Sequence, residues 1–511
     1  MSSPDYAFAI EPDARGADIL RELGRGGPSR LQPESALQRS YLDTFDWRLF
    51  RAGFVLSEER RPGGGRTLRL ESREGLPSRS MPAGRVSFAR DLPEGWMRER
   101  IEPLAEGRRL LPRVRLEGRL YTLDLLDEEE KTVARATVEE GEACLPDGGS
   151  AALPCVVRVH SLQGYDEEAR RVAEHLEAAT GSPSLHATDL ELALRALGAW
   201  PGTDPSQPQV MLLPGTRADL AARAVLSAYL AVFEANEPGV RADLDPEFLH
   251  DMRVACRRTR SFLGELDAVL DPAACERARE GFTWIGSKTG PLRDLDVLLA
   301  RLREEQAEEL EPFVLHVERR RKEALRALRQ ALDSERRRKL FEWWHTYLEE
   351  ERPPREGDAQ RSIEEVARER IASRLERFLE RGRALSTKTS PGRIHKVRIQ
   401  AKKLRYLVDA FGGLVARDDA PQAVRRLKKL QDALGAFNDR EVEIEILGRF
   451  AAEMTAAGTA SAATVLAMGR RQAELKREMK RLRKRFRRRF ERLEKEPALE
   501  AMRGKNGEER A

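Results

Sequence analysis

The stretch LHDMRVACRRTR (249–260) holds His250, Arg253, Arg257, Arg258 and Arg260 among apolar residues. At about 100° per residue, positions 250, 253, 257 and 260 share one helix face. Met252, Ala255, Cys256, Phe262, Leu263 and Leu266 fall on a largely opposite face that can pack into a core. A row of cations without interleaved carboxylates repels itself, so it is costly unless something anionic lies against it. Guanidinium forks grip phosphate oxygens in bidentate fashion, and an ammonium acts as a point charge.

The pattern occurs twice. IHKVRIQAKKLRYLVDAF (394–411) follows the first copy at an offset of 145 residues, with His395, Arg398, Lys402, Lys403 and Arg405 in the matching places. Arg258 and Lys403 lie at the flank of each stripe. Further on, GPLRDLDV (290–297) meets GAFNDREV (435–442) in the same register, placing Asp294 over Asp439. Two matches in one register argue for a duplicated helical bundle, and solvation alone does not require the same stripe twice. Facing duplicates would bring the two stripes together on an extended polyanion. Asp294 and Asp439 are read as residues that start or orient a helix. Lys428 and Lys429, just before the second glycine element, extend the anion site. One histidine per repeat, with no ligand-spaced Cys, Asp or Glu beside it, does not make a metal site.

The elements that must carry these residues change character along the chain. Residues 1–198 mix short β-like runs, turn signals and three helical patterns. FVLSEERRPGGGRTLRLES (54–72) and RLYTLDLLDEEEKTVARATVEE (119–140) read as hairpins, and PCVVRVHSL (154–162) as a strand. A Pro-, Gly- and Ser-rich linker, 199–216, is the expected boundary. Residues 217–495 read as helices, in two repeats of about 217–351 and 361–495, with breaks expected at Pro238, Pro272, Gly290-Pro291, Pro353-Pro354, Pro391 and Gly435. The end, 496–511, reads as a disordered tail. KREMKRLRKRFRRRFERLEKE (476–496) is the densest basic stretch, expected as a last bundle helix with a solvated cationic side.

With 91 basic and 86 acidic side chains among 511 residues, the placement of charge decides the partner more than its total. The four cysteines form no CxxC pair, and the start lacks a secretory pattern. A cytoplasmic protein without a membrane partner is the expectation.

At the repeated elements the sequence resembles the CHAD family, the conserved-histidine α-helical domains. HDMRVACRRTR, HKVRIQAKKLR, GPLRD and LGAFND match its motifs in both halves. The resemblance implies an all-α domain of two pseudo-symmetric four-helix bundles whose basic surface binds inorganic polyphosphate, with association to polyphosphate granules. It implies His250, Arg253, Arg257, Arg258, Arg260, His395, Arg398, Lys402, Lys403 and Arg405 as the binding set, to which the position of Lys428 and Lys429 adds those two. No cofactor is implied; a divalent cation enters only as counterion of the chain.

The N-terminal region resembles a CYTH domain, the fold of the triphosphate tunnel enzymes, through YLDTFDWRLFRAGFVLSEERR (41–61) and SLHATDLELALRALG (184–198). This implies an α+β domain built on a degenerate tunnel-type β-barrel. The family's early E-x-E-x-K aligns only with SPDYA (3–7), its L-x-L-K strand reads LRLE with Glu71, and VVRVHS (156–161) lacks alternating glutamates. Tunnel hydrolysis needs several carboxylates to hold a divalent ion, so a protein without catalytic activity is expected. Two alternatives stand beside it. One is a metal-dependent triphosphatase that draws carboxylates from Glu58, Glu59 or Asp124. The other is a nucleic-acid binder, ranked lower for want of a base-reading motif.

Overall fold

The structure is a computed structural model. It describes residues 5–10, 16–60, 65–73, 78–153, 155–162, 164–181, 184–185, 187–201, 205, 210–305, 307–350, 353, 355–385, 389–415 and 420–495. The chain divides into two compact units, Met1–Pro205 and Ser206–Ala511. The tail expected at 496–511, residues 202–204 and 206–209 of the linker, Ser3 and Pro4 lie outside the described residues.

In the first unit the strands are β1 (Asp5–Ala9), β2 (Ser29–Leu31), β3 (Ser35–Asp43), β4 (Phe54–Arg60), β5 (Arg66–Ser72), β6 (Arg79–Pro82), β7 (Leu111–Leu126), β8 (Thr132–Cys144), β9 (Ser150–Ala152) and β10 (Val156–Ser161). The helices are α1 (Gly16–Gly24), α2 (Arg48–Arg51), α3 (Trp96–Ala105), α4 (Asp166–Thr180) and α5 (Asp189–Ala196). Both expected hairpins form, as β4–β5 and β7–β8. The strands make one antiparallel sheet in the order β1-β10-β8-β7-β3-β4-β5-β6, with β2 added on β7 and β9 on β8. It is a curled half-barrel, and β1 and β6 do not pair with each other among the described residues.

The segment YLDTFDWRLF builds the turn from β3 into α2. The buried Asp43 carboxylate accepts from the backbone N–H groups of Thr44 at 2.7 Å, Leu49 at 2.9 Å and Phe50 at 2.8 Å. It thereby satisfies donors that a four-residue helix leaves open. Burial nonetheless pushes this carboxyl up to about 6.

The second unit is helical: α6 (Ala218–Arg241), α7 (Pro246–Leu263), α8 (Pro272–Glu305), α9 (Glu311–Leu332), α10 (Glu335–Glu349), α11 (Ile363–Arg383), α12 (Pro391–Val415), α13 (Ala420–Ala456) and α14 (Ala462–Leu493). The duplication is visible in its backbone. Helices α6 and α11 start at Ala218 and Ile363, and α7 and α12 at Pro246 and Pro391, each pair 145 residues apart. Between the first pair of starts the hydrogen bonds are reciprocal: Ala218 N–H donates to the Arg361 carbonyl and Ile363 N–H to the Thr216 carbonyl, both at 2.9 Å. Exchange of equivalent groups across a contact is the signature of a two-fold relation.

The halves are not separate bundles. Leu295, Leu299, Leu302, Phe313 and Val317 of the first share one core with Leu447, Phe450, Met454, Met468 and Leu475 of the second. The core residues expected behind the first stripe are buried, as are Leu404, Leu407, Val408 and Phe411 of α12, and Phe262 meets Phe411 at 5.4 Å between ring centroids.

Three expected helix breaks are absent. Helix α6 runs three residues past Pro238, α8 passes through Pro291, and α13 passes through Gly435. Buried side chains on both sides of each site, Leu434 and Phe437 around Gly435 for example, outweigh a local cost of about 1 kcal/mol for glycine. Between α8 and α9, Glu308–Leu310 forms a 3-10 turn.

Candidate polyanion trough

Helices α7 and α12 lie against each other and bring the two cationic stripes into one trough. The equivalent residues Arg257 and Lys402 face one another there, each within the other's electrostatic reach, as are Arg257 and Arg398. Asp294 and Asp439, another equivalent pair, also sense each other. Equivalent residues that approach one another lie near the axis relating the halves, so the trough straddles that axis.

The three inner arginines are held by neutral partners. Arg253 donates to the Thr289 hydroxyl at 2.9 Å and the Gly286 carbonyl at 3.3 Å. Arg257 donates to the Tyr406 hydroxyl at 2.8 Å. Arg398 donates to Asn438 Oδ1 at 3.1 Å, and His395 Nδ1 lies 3.2 Å from the same oxygen. Glycines on α8 let two arginines lie close to its backbone. A methyl group at Gly286 would come within 3.2 Å of the Arg260 guanidinium, and one at Gly290 within 3.5 Å of Arg253. Among the described residues, no carboxylate stands within 4.0 Å of Arg253, Arg257, Arg260, Arg398 or Lys402.

The electrostatics follow from that arrangement. Lys402 is brought down to about 6 by burial first and then by Arg257, Arg398 and Arg405, with Asp439 opposing. Burial also lowers Arg253 and Arg398. Tyr406 is raised by its burial, but Arg257 and Arg405 outweigh this and take the phenol below its ordinary value.

The flanking cations, and Arg405 of the second stripe, are neutralised. Arg258 stands 3.5 Å from Asp409 and Arg405 stands 3.8 Å from it, while Lys403 reaches Glu265 at 3.1 Å. The Arg258–Asp409 and Lys403–Glu265 pairs join the two halves, while Arg405 and Asp409 pair within α12. Arg260 and His395 are exposed and His250 is half-buried. Lys428 and Lys429 are exposed on α13, about 15 Å along the axis from Asn438 at 1.5 Å per residue. They sit beside the trough, away from its centre.

Asp294 and Asp439 cap nothing, because α8 and α13 run through them. Burial raises Asp294, partly offset by Arg253, and Asp439 bonds Arg301 at 3.2 Å. Sequence reasoning missed Tyr406, Asn438, Thr289 and the clamps Glu265 and Asp409. The repeat register could have flagged Asn438, which stands opposite Arg293.

In the first unit the charged residues neutralise one another. Arg39, only 8% exposed, bonds Glu59 at 2.8 Å, Glu139 at 2.7 Å and Asp189 at 3.1 Å, and Arg158 also bonds Asp189. The carboxylates weighed for metal binding are all engaged: Glu58 by Arg66 at 3.0 Å, Glu59 by Arg39, and Asp124 by Arg135 at 2.7 Å. Glu71, in the place of the expected tunnel cation, pairs with Arg69 at 2.8 Å. Among the described residues no group of three or more His, Cys, Asp or Glu side chains could hold a metal ion. Nor is any described helix long and apolar enough to cross a membrane.

Comparison with known proteins places this geometry. A family model described as CHAD domain matches residues 224–448. Among solved structures the chain is similar to the CHAD domain from the plant Ricinus communis, at 26% identity, over 59% of this chain and 96% of that one, with a TM-score of 0.46. It is also similar to PptA from Streptomyces chartreusis, at 19% identity, over 56% of this chain and all of the other, with a TM-score of 0.42. No curated protein matches. The family match spans both copies of the histidine–arginine helix, so the helical unit of this chain matches the CHAD domain family over residues 224–448.

Proposed function

We propose that the protein binds inorganic polyphosphate in the trough between α7 and α12, without catalysing a reaction on it. The observation that carries this reading is the convergence of Arg253, Arg257, Arg398 and Lys402 with no carboxylate within ion-pair distance among the described residues. Arginines left facing one another, with a Lys402 that their field and its burial keep largely neutral until an anion arrives, are a preorganised anion site, because an incoming chain removes their mutual repulsion and meets donors already fixed in place. Polyphosphate suits the trough because it is a flexible polyanion with about one charge per unit and no base to be read. Arg260 and His395 lie at the rim; Arg258, Lys403 and Arg405 act through their clamps on Asp409 and Glu265. The first unit, whose carboxylates are held by arginines, serves as a folded companion of the binding unit. A divalent cation takes part only as counterion, and the location that follows is wherever polyphosphate accumulates, granules included.

The test is a variant carrying Arg253→Ala, Arg257→Ala, Arg398→Ala and Lys402→Ala. Its affinity for polyphosphate should fall at least a hundredfold by calorimetric titration, with helicity unchanged by circular dichroism. Wild-type affinity in a helical variant would refute the assignment.

A further inference from the structure

The two halves end differently, and the difference has a direction. At the offset of 145 residues, α10 (Glu335–Glu349) corresponds to residues 480–494 at the end of α14, with Phe341 over Phe486 and Leu348 over Leu493. Both phenylalanines are buried, so the two segments occupy equivalent places in their halves. In α10 the charges are balanced within the helix: Arg338 bonds Glu335 and Glu342, and Lys339 stands 3.5 Å from Glu335. At the equivalents of those acids α14 carries Lys480 and Arg487. Where α10 carries Trp343, Trp344 and Tyr347, α14 carries Arg488, Arg489 and Arg492.

The outcome is a cationic outer face. Arg477, Lys480, Arg481, Lys484, Arg485 and Arg488 are all exposed, and none has a carboxylate within 4.0 Å among the described residues. Phe486, Phe490 and Leu493 hold the opposite side of the helix in place, with Phe490 against Phe378 of α11 at 5.5 Å between ring centroids. Helix α13 links this face to the trough. It contributes Asn438 to the trough, while its Arg440 bonds Glu478 of α14 at 3.0 Å and the Arg489 guanidinium donates to the Lys429 carbonyl at 3.1 Å. Exposed Lys428 and Lys429 lie on α13 between the two.

We infer that the outer face of α14 is a second polyphosphate contact, engaged only by chains long enough to leave the trough and cross α13. This rests on the trough reading and adds a length dependence to it. The face favours a phosphate chain over nucleic acid because arginines stand where the other half has aromatic rings, so it offers no platform for stacking bases.

The test uses the full chain with Lys480→Gln, Arg481→Gln, Lys484→Gln, Arg485→Gln and Arg488→Gln. It is titrated with polyphosphate of about ten and about two hundred phosphates. Long-chain affinity should fall at least tenfold, and its logarithmic salt slope should shrink by about 3.5 at 0.7 per cation lost. Short-chain affinity should stay within twofold. A companion variant that keeps the charge, Arg481→Lys, Arg485→Lys and Arg488→Lys, should retain long-chain binding, which separates charge loss from misfolding. Unchanged long-chain affinity in the glutamine variant overturns the inference, as does an equal loss for both lengths, or a loss confined to duplex DNA. A wild-type protein that fails to bind the short chain would instead refute the trough reading.

Discussion

Arg39 and Arg257 are both substantially buried arginines, yet their surroundings are opposite. Arg39 has three carboxylates around its guanidinium, whereas Arg257 has one phenol and, across the trough, Lys402. The first arrangement is closed: every charge is answered within the sheet, and an incoming anion gains little. The second is open, because its cations are held by hydroxyls, carbonyls and an amide, which fix geometry without cancelling charge. Neutralised clusters hold a fold together; unneutralised ones reserve their field for a ligand.

This contrast can be broken from either side. Arg39→Leu removes one partner of a buried network and leaves Glu139 and Asp189 less compensated, so unfolding stability should drop by about 3 kcal/mol. Polyphosphate affinity in that variant should not change. Urea titration and calorimetry on the same sample measure both, and a loss of binding with stability intact would invert the assignment of the two clusters.

Ionic strength sharpens the comparison. Four trough side chains that displace counterions from a flexible polyanion give a logarithmic slope near −3, so affinity for a short chain should fall roughly fifty-fold between 50 and 200 mM salt. The stability lost in Arg39→Leu, which comes from a mostly buried network, should depend on salt far less. A flat binding curve would mean that the trough is not the binding surface.

The smallest effect concerns protons. The folded state holds Lys402 near 6 against an ordinary 10.5, so between these values the unfolded chain binds a proton that the folded one does not. Stability from this group therefore rises with pH from about 6 to about 10 and is lost as pH falls through 6. Lys402→Met should flatten that part of the stability profile. A bound polyanion favours the ammonium, so wild-type protein should take up close to one proton per short chain at pH 7.5. Calorimetry in two buffers of different protonation enthalpy reads this directly, and identical heats in both would exclude it.

Much of this architecture was legible in the residues. The 145-residue register, the helix carrying each stripe and the apolar face behind it all follow from periodicity, which reports on local structure. The continuity of α8 through Pro291 and of α13 through Gly435 was not legible, since long-range packing there overrides a local breaker. Nor was the division of the cations into open and clamped sets. Asp409 and Glu265 lie within a few residues of the stripes, but only the docking of α7 on α12 decides that they neutralise Arg258 and Lys403 and leave Arg257 and Lys402 alone. In the sheet, the Arg39 network joins residues 39, 59, 139 and 189, a conjunction that no spacing rule announces.

The most direct measurement is a crystal structure of the full chain with a short polyphosphate bound. The account predicts phosphate oxygens within hydrogen-bonding distance of Arg253, Arg257, Arg398 and Lys402, astride the axis relating the halves. A chain seated elsewhere with those four side chains untouched, for instance on the sheet of the first unit, would contradict it.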